Sequence, residues 1–195
     1  MKAKLSEIAE IRSGYQFREK VEHDPRGQVP VIQIKDLTDD FQLRTDDLIR
    51  VAMERIEPYL VSQGDVLFLA RGHRLGAAAV TEPLTGTIAT GYYFILRPSG
   101  RVQPEYLAWA INQREFQEQM RPFVRGSHIP LITKGDFQEL RVEVPPLEVQ
   151  DRIVTLDRLY RRERQLVAEI QSKRAELIHG VCQRAARRRV STKKG

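Results

Sequence analysis

Three groups of side chains in this sequence have types and spacing that can do chemistry. Arg71, His73 and Arg74 share a short stretch interrupted by Gly72 and closed by Gly76. Arg125, Ser127, His128 and Lys134 form a second polar, basic group, and Tyr15, Gln16, Phe17 and Arg18 follow Gly14. A guanidinium holds two acceptors at once in a planar fork, whereas an ammonium acts as a point charge. An aromatic ring and an amide add stacking and paired hydrogen bonds. These are the tools of recognition rather than of turnover. Each has a plainer reading. Arg71 and Arg74 can be solvated surface charges, although the bracketing glycines favour contact with a ligand. His128 fits an ordinary loop histidine. Tyr15 and Phe17 fit a core equally well, because their period of two suits a strand. Tyr92, Tyr93 and Trp109 are assigned to packing.

Catalytic constellations are hard to assemble. Asp24 ahead of Gln33-Ile34-Lys35 has the acidic-plus-lysine character with which some nucleases hold a metal and orient water. Asp24, however, falls in a Pro-Gly turn, no second carboxylate sits on the strand, and Lys35 and Asp36 read as surface residues. No glycine-rich loop joins a strand to a helix as a methyltransferase would require, and no Ser/His/Asp or Cys/His set can be named. The single Cys182 allows no internal disulfide and no cysteine-rich zinc site, and fits a reducing, cytosolic setting. His23, His73, His128 and His179 lack metal-ligand spacing. No cofactor and no metal are expected, and the sequence holds neither a membrane-spanning run nor a signal peptide's apolar segment.

The elements that must position the three groups are short up to about Arg141. Lys4 to Ile11 is a short helix or strand leading into Gly14. Val29 to Ile34 reads as a strand, with Pro30 in its first residues or on an edge, and Leu48 to Val51 as another. Gln63-Gly64 signals a turn before the apolar run Asp65 to Ala70; Ala77 to Val80 follows. Thr87 to Leu96, rich in β-branched and aromatic residues, is the strongest strand candidate. Pro104 opens a helix with Tyr106, Leu107, Ala110 and Ile111 on one face, continued by Phe116 and Met120 up to Pro122. Ile129 to Ile132 and Leu140 to Val144 read as late strands. Short strands with a few helices describe an α+β domain, a mixed α/β unit with a largely antiparallel or mixed sheet, over residues 1–147.

Pro145-Pro146 ends that domain. Residues 148–186 read as one helix without internal proline, roughly 60 Å long. Nine heptad positions run along it. Ile153, Leu156, Tyr160, Val167, Ile170, Leu177 and Val181 are apolar or aromatic; Glu163 and Arg174 are charged. Such a seam wants a partner helix. Residues 187–195 read as a disordered basic tail. The charge of +6 follows the same division. Residues 1–147 hold 19 basic against 20 acidic residues, and residues 148–195 hold 13 against 6. Within the first part, residues 66–134 carry 8 basic and 4 acidic groups, which places any phosphate contacts there.

This organisation resembles one half of a type I restriction–modification specificity subunit. Three stretches carry the likeness: Leu5-Ser6-Glu7-Ile8-Ala9-Glu10-Ile11 followed by Gly14; Gly64-Asp65-Val66-Leu67-Phe68 leading to Arg71-Gly72; and Val144-Pro145-Pro146-Leu147 with Gln150, Ile153 and Val154. Val149 stands where the family usually carries glutamate. The resemblance implies a target-recognition domain followed by a long C-terminal coiled-coil helix, with one unit here where full-length members carry two. It implies double-stranded DNA as ligand, an adenine methyltransferase subunit and a motor nuclease subunit as partners, and no catalytic activity of its own. Under that reading the stalk residues named above pair two copies as a homodimer, and the target is an interrupted inverted repeat. Arg71, His73 and Arg74 become base readers. Arg125, Ser127, His128 and Lys134 contact phosphates or base edges, and Tyr15, Gln16 and Arg18 add a stacking ring, an amide and a charge. A recognition module of another phage-defence complex, or a metal-dependent nuclease, is the alternative.

Overall fold

A computed structural model describes residues 1–126 and 128–191, with side chains through Arg187. The chain divides into two compact units, Met1–Val154 and Thr155–Gly195.

The first unit is α+β. β1 (Lys2–Lys4), α1 (Leu5–Ile8) and β2 (Ala9–Ser13) follow one another directly. The opening segment is thus both helix and strand, because Leu5 and Ile8 turn inward while Glu7 accepts from the Lys4 N–H at 2.9 Å. β3 (Val29–Ile32), β4 (Ile49–Val51), β5 (Val66–Leu69) and β6 (Gly76–Ala79) match the expected strands to within two or three residues. Pro30 is the second residue of β3, which lies in the middle of its sheet.

Thr87 to Leu96 is not one strand. It divides into β7 (Ile88–Ala89) and β8 (Tyr93–Pro98), which belong to different sheets. β7 pairs parallel with β3, while β8 pairs antiparallel with β2 and β5. The change of partner is made at Thr90-Gly91-Tyr92, where the Tyr93 N–H turns back to the Thr90 carbonyl at 3.0 Å. Propensity alone reads straight through this break, since it follows residue type and not pairing.

α2 (Pro104–Ile111), α3 (Arg114–Met120), α4 (Lys134–Gln138), β9 (Arg141–Glu143) and α5 (Leu147–Ser191) complete the chain. Ile129 to Ile132 forms no strand; only single bridges join Leu131 to Arg71 and Arg125. Pro130 has no N–H for a ladder. The short helix α4, which the sequence pattern did not show, is capped by Thr133, whose side chain accepts from the Asp136 N–H.

Described strands make a four-stranded sheet in the order β2-β8-β5-β6, a three-stranded sheet β4-β3-β7, and the pair β1-β9. One face of the larger sheet packs on α2, α3 and α4 through Phe68, Phe94, Leu107, Ile111, Phe116 and Phe137. Its other face gathers Leu67, Leu69, Tyr93 and Ile95 against Ile32 and Val61. Phe68 and Phe137 stack with centroids 4.1 Å apart.

The first two turns of α5 belong to this unit. Gln150 is fully buried: its amide donates to the carbonyls of Arg101 (2.9 Å) and Pro145 (2.8 Å) and accepts from the Gln103 N–H (2.9 Å). Both donors and one acceptor direction of this side chain therefore fix where the helix begins. α5 continues to Ser191, past the expected end at residue 186, so residues 187–191 are helical rather than a disordered tail. Residues 192–195 of that expected tail lie outside the described residues. At 45 residues α5 is about 68 Å long. Among the described residues, no helix is long and apolar enough to cross a membrane.

Candidate nucleic-acid interface

The loop between β5 and β6 carries Arg71, His73 and Arg74, all exposed. It is laced to two neighbouring segments. The Ala70 N–H donates to the Tyr92 carbonyl at 2.8 Å, the Ile132 N–H donates to the Ala70 carbonyl at 3.0 Å, and the Gly72 N–H donates to the Pro130 carbonyl at 3.0 Å. Leu131 bridges to both Arg71 and Arg125. Two groups separated by some fifty residues in the sequence are thereby brought side by side. His128 and Lys134 are exposed, Lys134 as the first residue of α4. Ser127 lies outside the described residues.

The three arginines differ in what holds them. Arg74 is engaged by Asp39, through the carboxylate at 2.6 Å and through the backbone carbonyl, and lies over Phe41. Its expected role as a base reader is therefore weakened, because part of its donor fork faces inward. Arg125 reaches Asp136 at 3.3 Å. Arg71 has no carboxylate partner among the described residues. Its guanidinium sits over the Tyr92 ring, 5.7 Å from the centroid. A guanidinium over a ring face is attracted to it and keeps its N–H groups for other acceptors.

The Gly14 segment behaves as its period of two suggested. Tyr15 and Phe17 turn inward, their rings edge to face at 4.7 Å, and Tyr15 also meets Tyr59 at 5.0 Å. Tyr15 thus packs as the core reading expected, half-buried, and its other side borders the depression described below. Gln16 and Arg18 face outward. Gly14 has no alternative: a Cβ there would lie 2.2 Å from the Thr90 carbonyl oxygen.

Tyr92 was missed. Assigned to packing by its place in a strand-like run, it is 41% exposed, whereas Tyr93 is fully buried and Trp109 is packed against the main core. The signal was Gly91, since a glycine inside a strand pattern marks a break. Tyr92 borders a depression of about 320 Å³ that is also lined by Gln16, Lys20, Gln33, Lys35 and Thr90.

Carboxylates near these segments have structural roles. Asp24 accepts from the Arg26 N–H at 2.8 Å within its turn. Asp36 is buried and accepts from the Gln33 N–H at 2.7 Å; burial raises its pKa above the ordinary 3.8, against the opposing pull of that hydrogen bond and of Lys35. The buried Tyr93 hydroxyl donates to the Gln33 carbonyl at 3.0 Å, and burial with the nearby Asp36 charge pushes its pKa up. Asp65, also buried, is gripped by Arg97 at 2.8 and 3.0 Å.

On α5, Leu156, Tyr160, Val167, Ile170, Leu177 and Val181 are all exposed in the single chain, together with Leu159, Leu166 and Ile178. Ile153, expected in the same seam, instead packs against the main core of the first unit.

Solved structures share this fold. The type I restriction–modification S subunit from M. genitalium is 13% identical, with a TM-score of 0.59 over 87% of this chain and 41% of that one. A chain from a structural study of complex assembly and conformational transition of the type I R-M system is 21% identical, with a TM-score of 0.63 over 85% and 39%. The HsdS subunit from Thermoanaerobacter tengcongensis is 22% identical, with a TM-score of 0.55 over 83% and 37%. The present chain thus spans about two-fifths of the chains that it matches. No curated protein sequence gives a significant match. The shared architecture is an α+β unit followed by a long helix. The family model for the type I restriction modification DNA specificity domain matches residues 1–173, and the chain belongs to this family.

Proposed function

We propose that this chain reads a specific duplex DNA sequence without catalysing a reaction. Paired with a second copy through α5, it directs an adenine methyltransferase subunit, and a motor nuclease subunit in the cleaving assembly, to an interrupted inverted repeat. The observation that carries the reading is Arg71. An exposed guanidinium over an aromatic ring, with no carboxylate partner among the described residues, suits the O6 and N7 acceptors of guanine in the major groove. Arg125, His128 and Lys134 stand on the adjoining loop and helix start, where contacts to the DNA backbone would set register.

The apolar stripe of α5 supports the pairing. Each seam residue that becomes fully buried contributes roughly 1.5–3 kcal/mol before entropy is subtracted. Two copies related by a two-fold axis read two half-sites, which gives one small domain the specificity it lacks alone.

Binding titrations on a selected duplex and on unrelated DNA test the reading. Arg71→Ala is expected to weaken specific binding more than nonspecific binding. Lys134→Ala is expected to lower both and to reduce the salt slope by about one. Unchanged affinity and unchanged slope in both variants would remove this surface from consideration.

A further inference from the structure

Two planar side chains beside the depression at β7–β8 are held by packing and make no hydrogen bond of their own among the described residues. The Arg71 guanidinium carbon lies over the ring of Tyr92, 5.7 Å from its centroid. Gln16 lies against Gly91 so closely that a Cβ on Gly91 would fall 2.3 Å from Gln16 Oε1 and 3.2 Å from its Cδ. The supports of the two groups are adjacent residues. Their backbone is fixed from both sides: the Gly91 N–H donates to the Tyr15 carbonyl at 2.7 Å, the Tyr92 carbonyl accepts from the Ala70 N–H at 2.8 Å, and the Thr90 N–H donates to the Ile32 carbonyl at 3.0 Å. Segments carrying Gln16 and Arg71 are thus tied to the same short turn that carries their supports.

Around this turn the surface has the composition of a nucleic-acid contact. Lys20 and Lys35 line the depression, Gln33 adds an amide, and the Thr90 hydroxyl is buried without a hydrogen-bond partner among the described residues. Glu19 is the acidic residue in the lining.

We infer that Thr90-Gly91-Tyr92 is a positioning platform that presents Arg71 and Gln16 as a pair of base-edge readers. Arg71 takes guanine, and Gln16 takes adenine through N6 and N7; Lys20 and Lys35 meet phosphates at the edge. Tyr92 and Gly91 are positioning residues, one supplying a face to stack on and the other supplying the absence of a side chain. This rests on the DNA-reading function proposed above and goes beyond it by naming what sets the sequence preference. An arginine without its stacked ring samples many rotamers and loses that freedom on binding; the ring removes much of this loss in advance.

Selection from random duplex DNA with the full chain, followed by titration on the enriched site, tests the platform. The wild type is expected to enrich a site containing both guanine and adenine. Arg71→Ala and Tyr92→Ala are expected to lose preference at the same guanine, by about tenfold or more. Tyr92→Phe, which keeps the ring, is expected to retain it, and the Arg71→Ala/Tyr92→Ala double variant to lose no more than either single one. Gln16→Ala and Gly91→Ala are expected to relax a different position, the adenine, while the preference for the guanine is kept. If Gly91→Ala does not fold, Gln16→Ala carries that arm alone. A wild type that enriches no site overturns the DNA-reading function and the platform with it. A wild type that enriches a site, with Tyr92→Ala and Gln16→Ala enriching the same one, overturns the platform only.

Discussion

Phe137 on α4 and Ile170 on α5 are both apolar residues on helices, yet Phe137 is fully buried and Ile170 is 64% exposed. The contrast holds for the two units that contain them. In Met1–Val154 the aromatic and aliphatic side chains close on one another across two sheets and several short helices. In Thr155–Gly195 the apolar residues form a stripe that the described chain leaves open. One unit obtains its stability from its own core. The other exposes apolar side chains along one helix, the surface on which the proposed pairing rests. Helicity alone does not explain it, because most helical stability in proteins comes from packing an apolar face.

The largest expected effect breaks the first side of this contrast. Phe137→Ala removes a ring stacked on Phe68 and in contact with Phe94 and Phe116. It is expected to cost about 3–5 kcal/mol in a urea unfolding titration of the Met1–Val154 transition. A loss below 1 kcal/mol would mean that this core is not what holds the unit. Ile170→Asp attacks the other side. Within the single chain it is expected to change stability by under about 0.5 kcal/mol, since the residue is on the surface. In solution it should convert a dimer into a monomer, because a charge would enter a dry seam. Light scattering that still reports a dimer would count against pairing through α5.

The smallest effect sharpens the picture of the first unit. Burial makes the folded Asp36 hold its proton more tightly than the unfolded chain does. Its contribution to stability is therefore fully present below the unfolded value near 3.8 and is lost as pH rises through the higher folded value. Asp36→Asn keeps an oxygen for the Gln33 N–H and removes the charge. Its stability relative to the parent should rise between pH 4 and pH 7, read as the difference in urea midpoints. A difference that does not change with pH would place Asp36 in a more solvated setting.

The α+β class, the proline-marked junction and the long helix were all legible, because each depends on local periodicity or on residues that punctuate it. Helix α5 shows this best: its heptad pattern is repeated often enough to outweigh Gly180. What failed depended on pairing between distant segments. Thr87 to Leu96 has uniform strand propensity, yet β7 and β8 take different partners, and residue type does not record that. Ile129 to Ile132 has the residues of a strand but passes beside Arg71 and Arg125 with Pro130 in its middle. Ile153 shares the heptad of Leu156, but its position beside Gln150 puts it on the first unit's core. For the same reason the site was read only in part. Arg71, Arg125 and Lys134 could be named as basic residues between the expected elements, but not that Lys134 opens a helix. That Arg74 is tied to Asp39, and that Arg71 is held by Tyr92, follows from contacts between residues far apart in sequence.

Thr90-Gly91-Tyr92 joins two strands that are secured by separate sheets, and the groups it supports extend from neighbouring loops into solvent. Exchanging Arg71 or Gln16 for another polar residue therefore leaves both hydrophobic layers as they are. On the platform proposed above, this would separate the letter that is read from the scaffold that reads it. New targets can be acquired one substitution at a time, each tested by selection on a protein that still folds.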